Sequence, residues 1–174
     1  MMDDILDTAL RLAGEKGWDR TTRADIAAAA GVSADEMDGL FPGEQTLIAG
    51  LIRRIDRKTV QHEPDGTAHD RLFDAIMTRL EALQEQRSGF RALVWSVKGR
   101  PTMILALWPV LERAMAAILE QTGGTSSLIQ IKALTGLYLS ILDVWFRDEN
   151  ADLSRTMAVL DRRLSFLHQI KVLP

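Results

Sequence analysis

Hydrophobic and polar positions along the chain fall into a succession of helical stripes. From Asp3 the apolar residues Ile5, Leu6, Ala9, Leu10, Leu12 and Ala13 recur at three- and four-residue spacing. Asp3 and Asp4 stand in the first turn, where the helix dipole favours acids, and Gly17 supplies a stop. A short second helix is expected from a cap at Thr21 or Thr22 through Ala30. A third should run from a cap at Ser33 to about Leu40, with Gly31 as the turn between them. Two short helices joined this closely make a helix-turn-helix. Phe41-Pro42-Gly43 breaks the chain, and Glu44 to about Val60 reads as a fourth helix with Leu47, Ile48, Leu51, Ile52 and Ile55 inward. Further helices are predicted at about 68–87, 89–98, 101–121, 126–147 and 153–170, punctuated by Gly99-Arg100-Pro101, Gly123-Gly124 and the run from Asp148 to Asp152. The fold class is therefore all-α, with about nine helices. The stretch from His62 to Thr67, with Pro64 and Gly66, is the predicted boundary between an N-terminal helix-turn-helix domain (1–62) and a helical bundle (63–174).

Composition agrees with packed amphipathic helices: 47% of the residues are apolar and only 6% aromatic. A chain of 174 residues can bury roughly 70% of its unfolded surface. With no cysteine there are no disulfides, thiolate metal ligands or Cys nucleophile, and nothing points to an oxidising compartment. A cytoplasmic location is expected. The acidic start is unlike a signal peptide, and no apolar run approaches the ~20 residues of a membrane span. His62, His69 and His168 are far apart, and neither a nucleophile motif nor a phosphate-cradling loop is present, so no enzyme activity, metal or cofactor is expected. The net charge of −3 lies entirely in residues 1–60, which hold 8 basic and 11 acidic side chains.

The words Ile5-Leu6-Asp7-Thr8-Ala9-Leu10, Gly17-Trp18, Thr21-Thr22-Arg23-Ala24-Asp25-Ile26-Ala27, Ala30-Gly31-Val32-Ser33 and Phe41-Pro42, in this order and spacing, resemble the signature of the tetracycline-repressor (TetR) family. The resemblance implies a TetR-like fold: a three-helix head followed by an antiparallel bundle that dimerises and holds a small ligand. It implies a ligand-responsive transcriptional regulator that binds duplex DNA as a homodimer. Two recognition helices about 34 Å apart would meet successive major grooves, and a bundle shift would spoil the match. Carried onto this chain, the DNA-facing residues are Arg20, Thr22, Arg23, Ser33, Ala34 and Met37.

The chain departs from its family in the third helix. Between Ser33 and Gln45 stand Asp35, Glu36, Asp38 and Glu44, with no Lys or Arg. The family commonly has Tyr at the position of Asp38 and Lys at that of Glu44, both serving the DNA backbone, so both acids are expected to repel phosphate. Two readings stay open: a head that still reaches phosphate through Lys16, Arg20 and Arg23, or an acidic solvated face on a module kept for folding.

In the bundle, Leu128, Ile131, Leu134, Leu137, Tyr138, Ile141, Leu142 and Trp145 form one stripe, and Leu153, Met157, Leu160, Leu164 and Leu167 another. They predict a four-helix dimer interface built on Leu134, Tyr138, Ile141, Trp145, Met157, Leu160 and Leu164; the alternative is that the stripes close the monomer's own core. A cavity for a small apolar or lipid-like ligand would draw on Phe73, Met77, Phe90, Leu93, Trp95, Met103, Leu107, Trp108 and Tyr138, which would otherwise be ordinary core. The stretch from Leu134-Thr135-Gly136-Leu137-Tyr138 through Trp145, Asp148, Asp152 and Thr156 to Leu160-Asp161-Arg162-Arg163-Leu164 is also similar to the C-terminal part of the TetR-fold lipid-binding accessory proteins of ubiquinone biosynthesis. That similarity implies an isoprenoid lipid in the bundle and a head not used on DNA.

Overall fold

The computed structural model describes residues 1–59, 66–123 and 126–173. His62 and Pro64 of the expected boundary lie outside the described residues, as does Gly124. Among the described residues there are nine α-helices and no strand: α1 (Met2–Lys16), α2 (Arg23–Ala30), α3 (Ala34–Leu40), α4 (Glu44–Thr59), α5 (Ala68–Glu81), α6 (Arg87–Lys98), α7 (Pro101–Gln121), α8 (Leu128–Phe146) and α9 (Ser154–Gln169).

Their starts follow local chemistry. Thr22, Ser33, Thr67 and Ser127 each close a capping box with the residue three positions on, Asp25, Glu36, Asp70 and Gln130. Gly31 ends α2 in the left-handed region at φ 69°, which is open to glycine without steric penalty and turns the chain into α3. The expected single helix over 68–87 is corrected: α5 stops at Glu81, a tighter turn occupies Gln84–Gln86, and α6 starts at Arg87.

Backbone contacts divide the chain into two compact units, Met1–Ile55 with Leu83–Val110, and Asp56–Ala82 with Leu111–Pro174. In the first, α1 buries Ile5, Leu6, Ala9, Leu10 and Ala13 and packs against α2 and α6. The α1–α6 crossing is very close at Gly89, where an added Cβ would lie 1.9 Å from the Leu10 carbonyl oxygen.

In the second unit α5, α8 and α9 pack together. Asp148, 1% exposed, accepts the N–H and the hydroxyl of Thr156, both at 2.7 Å, and so fixes the start of α9 from within the core. Contrary to the sequence expectation about apolar runs, α7 and α8 are each long and apolar enough to cross a bilayer by length and composition. For α8 the apolar run has a use inside the protein, because Leu134, Leu137, Tyr138, Ile141, Leu142, Trp145 and Phe146 are buried in it.

Candidate functional site

On the head, the residues expected to meet DNA are largely engaged within the protein. Thr22 and Ser33 are caps: the Thr22 hydroxyl accepts the Asp25 N–H at 3.1 Å, and the Ser33 hydroxyl accepts the Glu36 N–H at 3.2 Å. Lys16 donates to Asp25 at 2.6 Å, and this bond, with those from Thr22, holds the Asp25 carboxyl down to about 2. The Arg23 guanidinium bonds Asp38 and donates to the Pro42 carbonyl at 3.1 Å, tying α2 to α3 and to the turn before α4. Met37 is corrected outright. At 1% exposure it is a core residue, on the inner side of α3, and no base edge can reach it. Arg20, before α2, is exposed, as are Ala34, Asp35, Glu36, Asp38 and Gly39 on α3.

Glu44 does something the sequence did not suggest. Its two carboxylate oxygens take a bidentate pair from Arg100, at 2.6 and 2.7 Å, and one of them also accepts the Trp18 indole N–H at 2.7 Å. Arg100 donates further to the Ser96 hydroxyl at 2.8 Å, and Ser96 bonds Asp19. The hydrogen bonds from Arg100 pull the Glu44 carboxyl below its ordinary range, with partial burial opposing and Trp18 assisting. Glu44 therefore joins the turn after α1, the start of α4 and the α6–α7 corner, and its charge is compensated locally. The expectation that it stands free to repel phosphate is replaced by this structural role. A recess of about 220 Å³ beside it is lined by Trp18, Asp19, Thr21, Arg23, Ile26, Glu44, Leu47 and Arg100.

The bundle candidates divide by exposure. Phe90, Leu93, Met103 and Leu107 are buried in the first unit, to which the half-buried Trp108 also belongs. Met77 and Tyr138 are buried in the second, which also holds the half-buried Phe73. Trp95 is 56% exposed with the Lys98 ammonium over its ring, so it faces outward rather than lining an enclosed cavity. The expected dimer seam is corrected as well. Leu134, Ile141, Trp145 and Leu160 are 0% exposed in the single chain, Leu164 1% and Tyr138 2%, leaving only Met157 half-buried. Leu134, Tyr138, Ile141, Trp145, Leu160 and Leu164 close the monomer's own core. The apolar side chains left outside on α8 and α9 are Leu128, Ile129, Leu139 and Phe166, with Ile170 just beyond.

Sequence reasoning also missed Arg79. It is 1% exposed on the seam of α5 that carries Leu72 and Ile76, bonds Asp56, and lies over the Tyr138 ring at 5.2 Å from its centroid. Burial works against its charge, but Tyr138 and Asp56 more than offset this and hold the guanidinium protonated. A signal existed: Arg79 stands three residues after Ile76, inside an apolar stripe where a cation is out of place. Among the described residues no group of three or more His, Asp or Glu could hold a metal ion.

Comparison with known proteins fits this geometry. Residues 5–36 match the family model of bacterial regulatory proteins of the tetR family. No curated protein sequence matches the chain. Among solved structures, the TetR transcriptional regulator from Nitrosomonas europaea ATCC 19718 is 28% identical, with 97% of this chain and 98% of that one covered and a TM-score of 0.83. A TetR transcriptional regulator from Rhodococcus sp. RHA1 is 19% identical over 95% of this chain and 93% of its own, with a TM-score of 0.71. Thermus thermophilus FadR, a TetR-family transcriptional repressor in complex with lauroyl-CoA, is 17% identical over 100% and 96%, with a TM-score of 0.53. The chain thus carries the tetR-family match in its first helices and is similar in fold, along nearly its whole length, to solved TetR-type regulators.

Proposed function

We propose that this chain is a cytoplasmic, homodimeric ligand-binding protein of the TetR type, taking an apolar, lipid-like molecule in residues 63–174, and that its head (1–62) does not dock on DNA in the family's way. The carrying observation is the surface of α3, which offers Ala34, Asp35, Glu36, Asp38 and Gly39 and no cation, while Arg23 is held by Asp38 and Pro42. DNA affinity rests largely on cations that displace counterions from phosphate, and here acids stand where those cations belong. The similarity of residues 134–164 to lipid-binding accessory proteins of ubiquinone biosynthesis supports the ligand class, as does the lauroyl-CoA held by the T. thermophilus protein of this fold. Dimerisation is assigned to the outer faces of α8 and α9, where Ile129, Leu139, Phe166 and Ile170 leave apolar surface in water.

The second reading, a ligand-responsive regulator that binds DNA, is favoured by the 28% identity to a TetR regulator along 97% of the chain and by the exposure of Arg20, Thr22 and Ala34. One titration separates them: binding of the purified protein to mixed genomic duplex fragments at low salt, followed through increasing salt. Absence of binding at low salt supports the first reading. A complex whose log affinity falls with log salt at the slope of several phosphate contacts establishes the second.

A further inference from the structure

The surface of the first unit is acidic on α3, but its charge reverses along α6 and the start of α7. Residues 87–110 carry Arg87, Arg91, Lys98 and Arg100 and no acid, in a chain whose net charge is −3. The same stretch leaves apolar side chains in water. Trp95 is 56% exposed on α6 and Leu105 76% on α7, with Ile104 at 37% and Pro101, Ala106 and Pro109 also exposed. Only 33% of the most apolar 18-residue window of α7 is buried, so the core accounts for only part of that helix's composition. On α6 the exposed Arg91, Trp95 and Lys98 follow at four- and three-residue spacing and so share one face, with the Lys98 ammonium 5.2 Å from the Trp95 ring centroid. On α7 Pro101, Leu105 and Pro109 share a face in the same way. The first row ends and the second begins at the Gly99-Arg100 corner, where Arg100 is taken up by Glu44.

We infer that this α6–α7 corner docks the protein on the surface of an anionic phospholipid bilayer, with Leu105 and Ile104 entering the acyl boundary, Trp95 at headgroup level, and Arg91 and Lys98 on lipid phosphates. The occupant follows from charge and apolarity taken together. A two-fold interface sets a face against itself, so a second copy seated here would bring Arg91 and Lys98 toward their own mates with no acid from residues 87–110 to pair them. The outer face of α9, where Asp161 and Arg162 are both exposed, has no such conflict. Nucleic acid would satisfy the cations and leave Leu105 and Ile104 in water. A bilayer with anionic headgroups satisfies both: its surface potential draws Lys and Arg, its interface suits the amphipathic Trp ring, and its acyl chains cover the aliphatic side chains. The inference stands on the surface of the first unit and does not depend on the ligand-binding reading.

The test is co-sedimentation of the full chain with vesicles of phosphatidylcholine alone, or of phosphatidylcholine and phosphatidylglycerol in equal parts, at low and at high salt. The mixed vesicles should bind the chain at least about twentyfold more tightly than phosphatidylcholine, at about fivefold for each of two cations, and salt should erode the difference. Arg91→Gln with Lys98→Gln should abolish that preference. Trp95→Gln with Leu105→Gln should weaken binding to the mixed vesicles by at least about tenfold, the worth of about two buried CH2 groups. All four positions are exposed, circular dichroism checks that the variants are folded, and the comparison of the two vesicles on the unaltered chain stands without them. No binding to the mixed vesicles, equal binding to both compositions, or binding unchanged in either variant overturns the docking surface. So does a dimer lost in Trp95→Gln with Leu105→Gln, which would give this face to a second copy, or duplex DNA binding lost in Arg91→Gln with Lys98→Gln, which would give it to nucleic acid.

Discussion

Replacing Gly89 by alanine sets two effects of opposite sign against each other. Alanine favours a helix interior over glycine by about 1 kcal/mol, so on propensity alone the variant gains stability. The structure opposes this. The new Cβ would lie 1.9 Å from the Leu10 carbonyl oxygen and 2.6 Å from its carbon, both backbone atoms with no rotamer to escape into. Relief to the 3.0 Å below which such contacts are essentially never seen requires α1 and α6 to part by about 1 Å, and a gap of that size forfeits a quarter to a half of each dispersion contact across the crossing. Overpacking of this kind costs about 1–3 kcal/mol, and a backbone-to-backbone clash belongs at the upper end. The net expectation is a loss of about 2 kcal/mol, or a Tm lower by roughly 4–8 °C for a chain of this length. The control is Gly39→Ala in α3, where nothing lies within 4 Å of the added Cβ and stability should hold or rise. Urea and thermal unfolding at one fixed protein concentration read both. A Gly89→Ala protein as stable as its parent, with an unchanged m-value, would refute the close crossing.

Because the folded Glu44 carboxyl titrates below its ordinary value, its contribution is present above the unfolded pKa of about 4.3 and is lost as pH falls through the lower folded value. Glu44→Gln should therefore cost stability at neutral pH, and the gap to the parent should close in acid; a gap constant from neutral to acid would count against the Arg100 pair. Asp148→Ala leaves the Thr156 N–H and hydroxyl without their acceptor in the core and should cost about 2–3 kcal/mol in urea unfolding, whereas a neutral outcome would mean that α9 starts without this cap. Leu139→Glu together with Phe166→Glu, both at exposed positions, should yield a folded monomer by sedimentation, and an unchanged dimer would place the interface elsewhere.

Much of this architecture is legible from spacing and caps alone. The capping boxes at Thr22, Ser33 and Thr67 pair residues three apart, and the turn at Gly31 is a local matter, so sequence contains them in full. What periodicity cannot say is which surface a stripe meets. Leu134, Tyr138, Ile141 and Trp145 share a face whether that face meets a partner or the same chain, and here it meets the same chain. Met37 shows the same limit on a smaller scale: on a seven-residue helix, a position read as facing a groove lies on the inner side. A break between helices at 68–87 and 89–98 was legible, but not that the first helix ends at Glu81 and a tighter turn intervenes at Gln84–Gln86, where no Gly or Pro marks the stop. Glu44 and Arg100 were each legible as charges, but their pairing spans 56 residues and only the fold brings them together.

Two of the acids that set this head apart from its family, Asp38 and Glu44, also help to hold it together, as do Asp7 and Asp25, and this decides how its chemistry can be changed. Asp25 is joined to Lys16, Asp38 to Arg23, Asp7 to Arg54 and Glu44 to Arg100, across 9, 15, 47 and 56 residues of sequence. A head that docks on phosphate needs its cations turned outward and free, since each must exchange a protein or solvent partner for a phosphate oxygen. Here Lys16, Arg23, Arg54 and Arg100 are turned toward carboxylates. Restoring the family's Lys at position 44 would accordingly do more than remove a repulsion. It would set an ammonium against the Arg100 guanidinium and leave the Trp18 N–H without its acceptor, so the turn after α1, the start of α4 and the α6–α7 corner would loosen before any phosphate was met. The acidic pattern is thus not an overlay on a DNA-binding head that single reversals could lift. It is part of the packing of the first unit, and turning these cations toward phosphate would require the pairs to be replaced together.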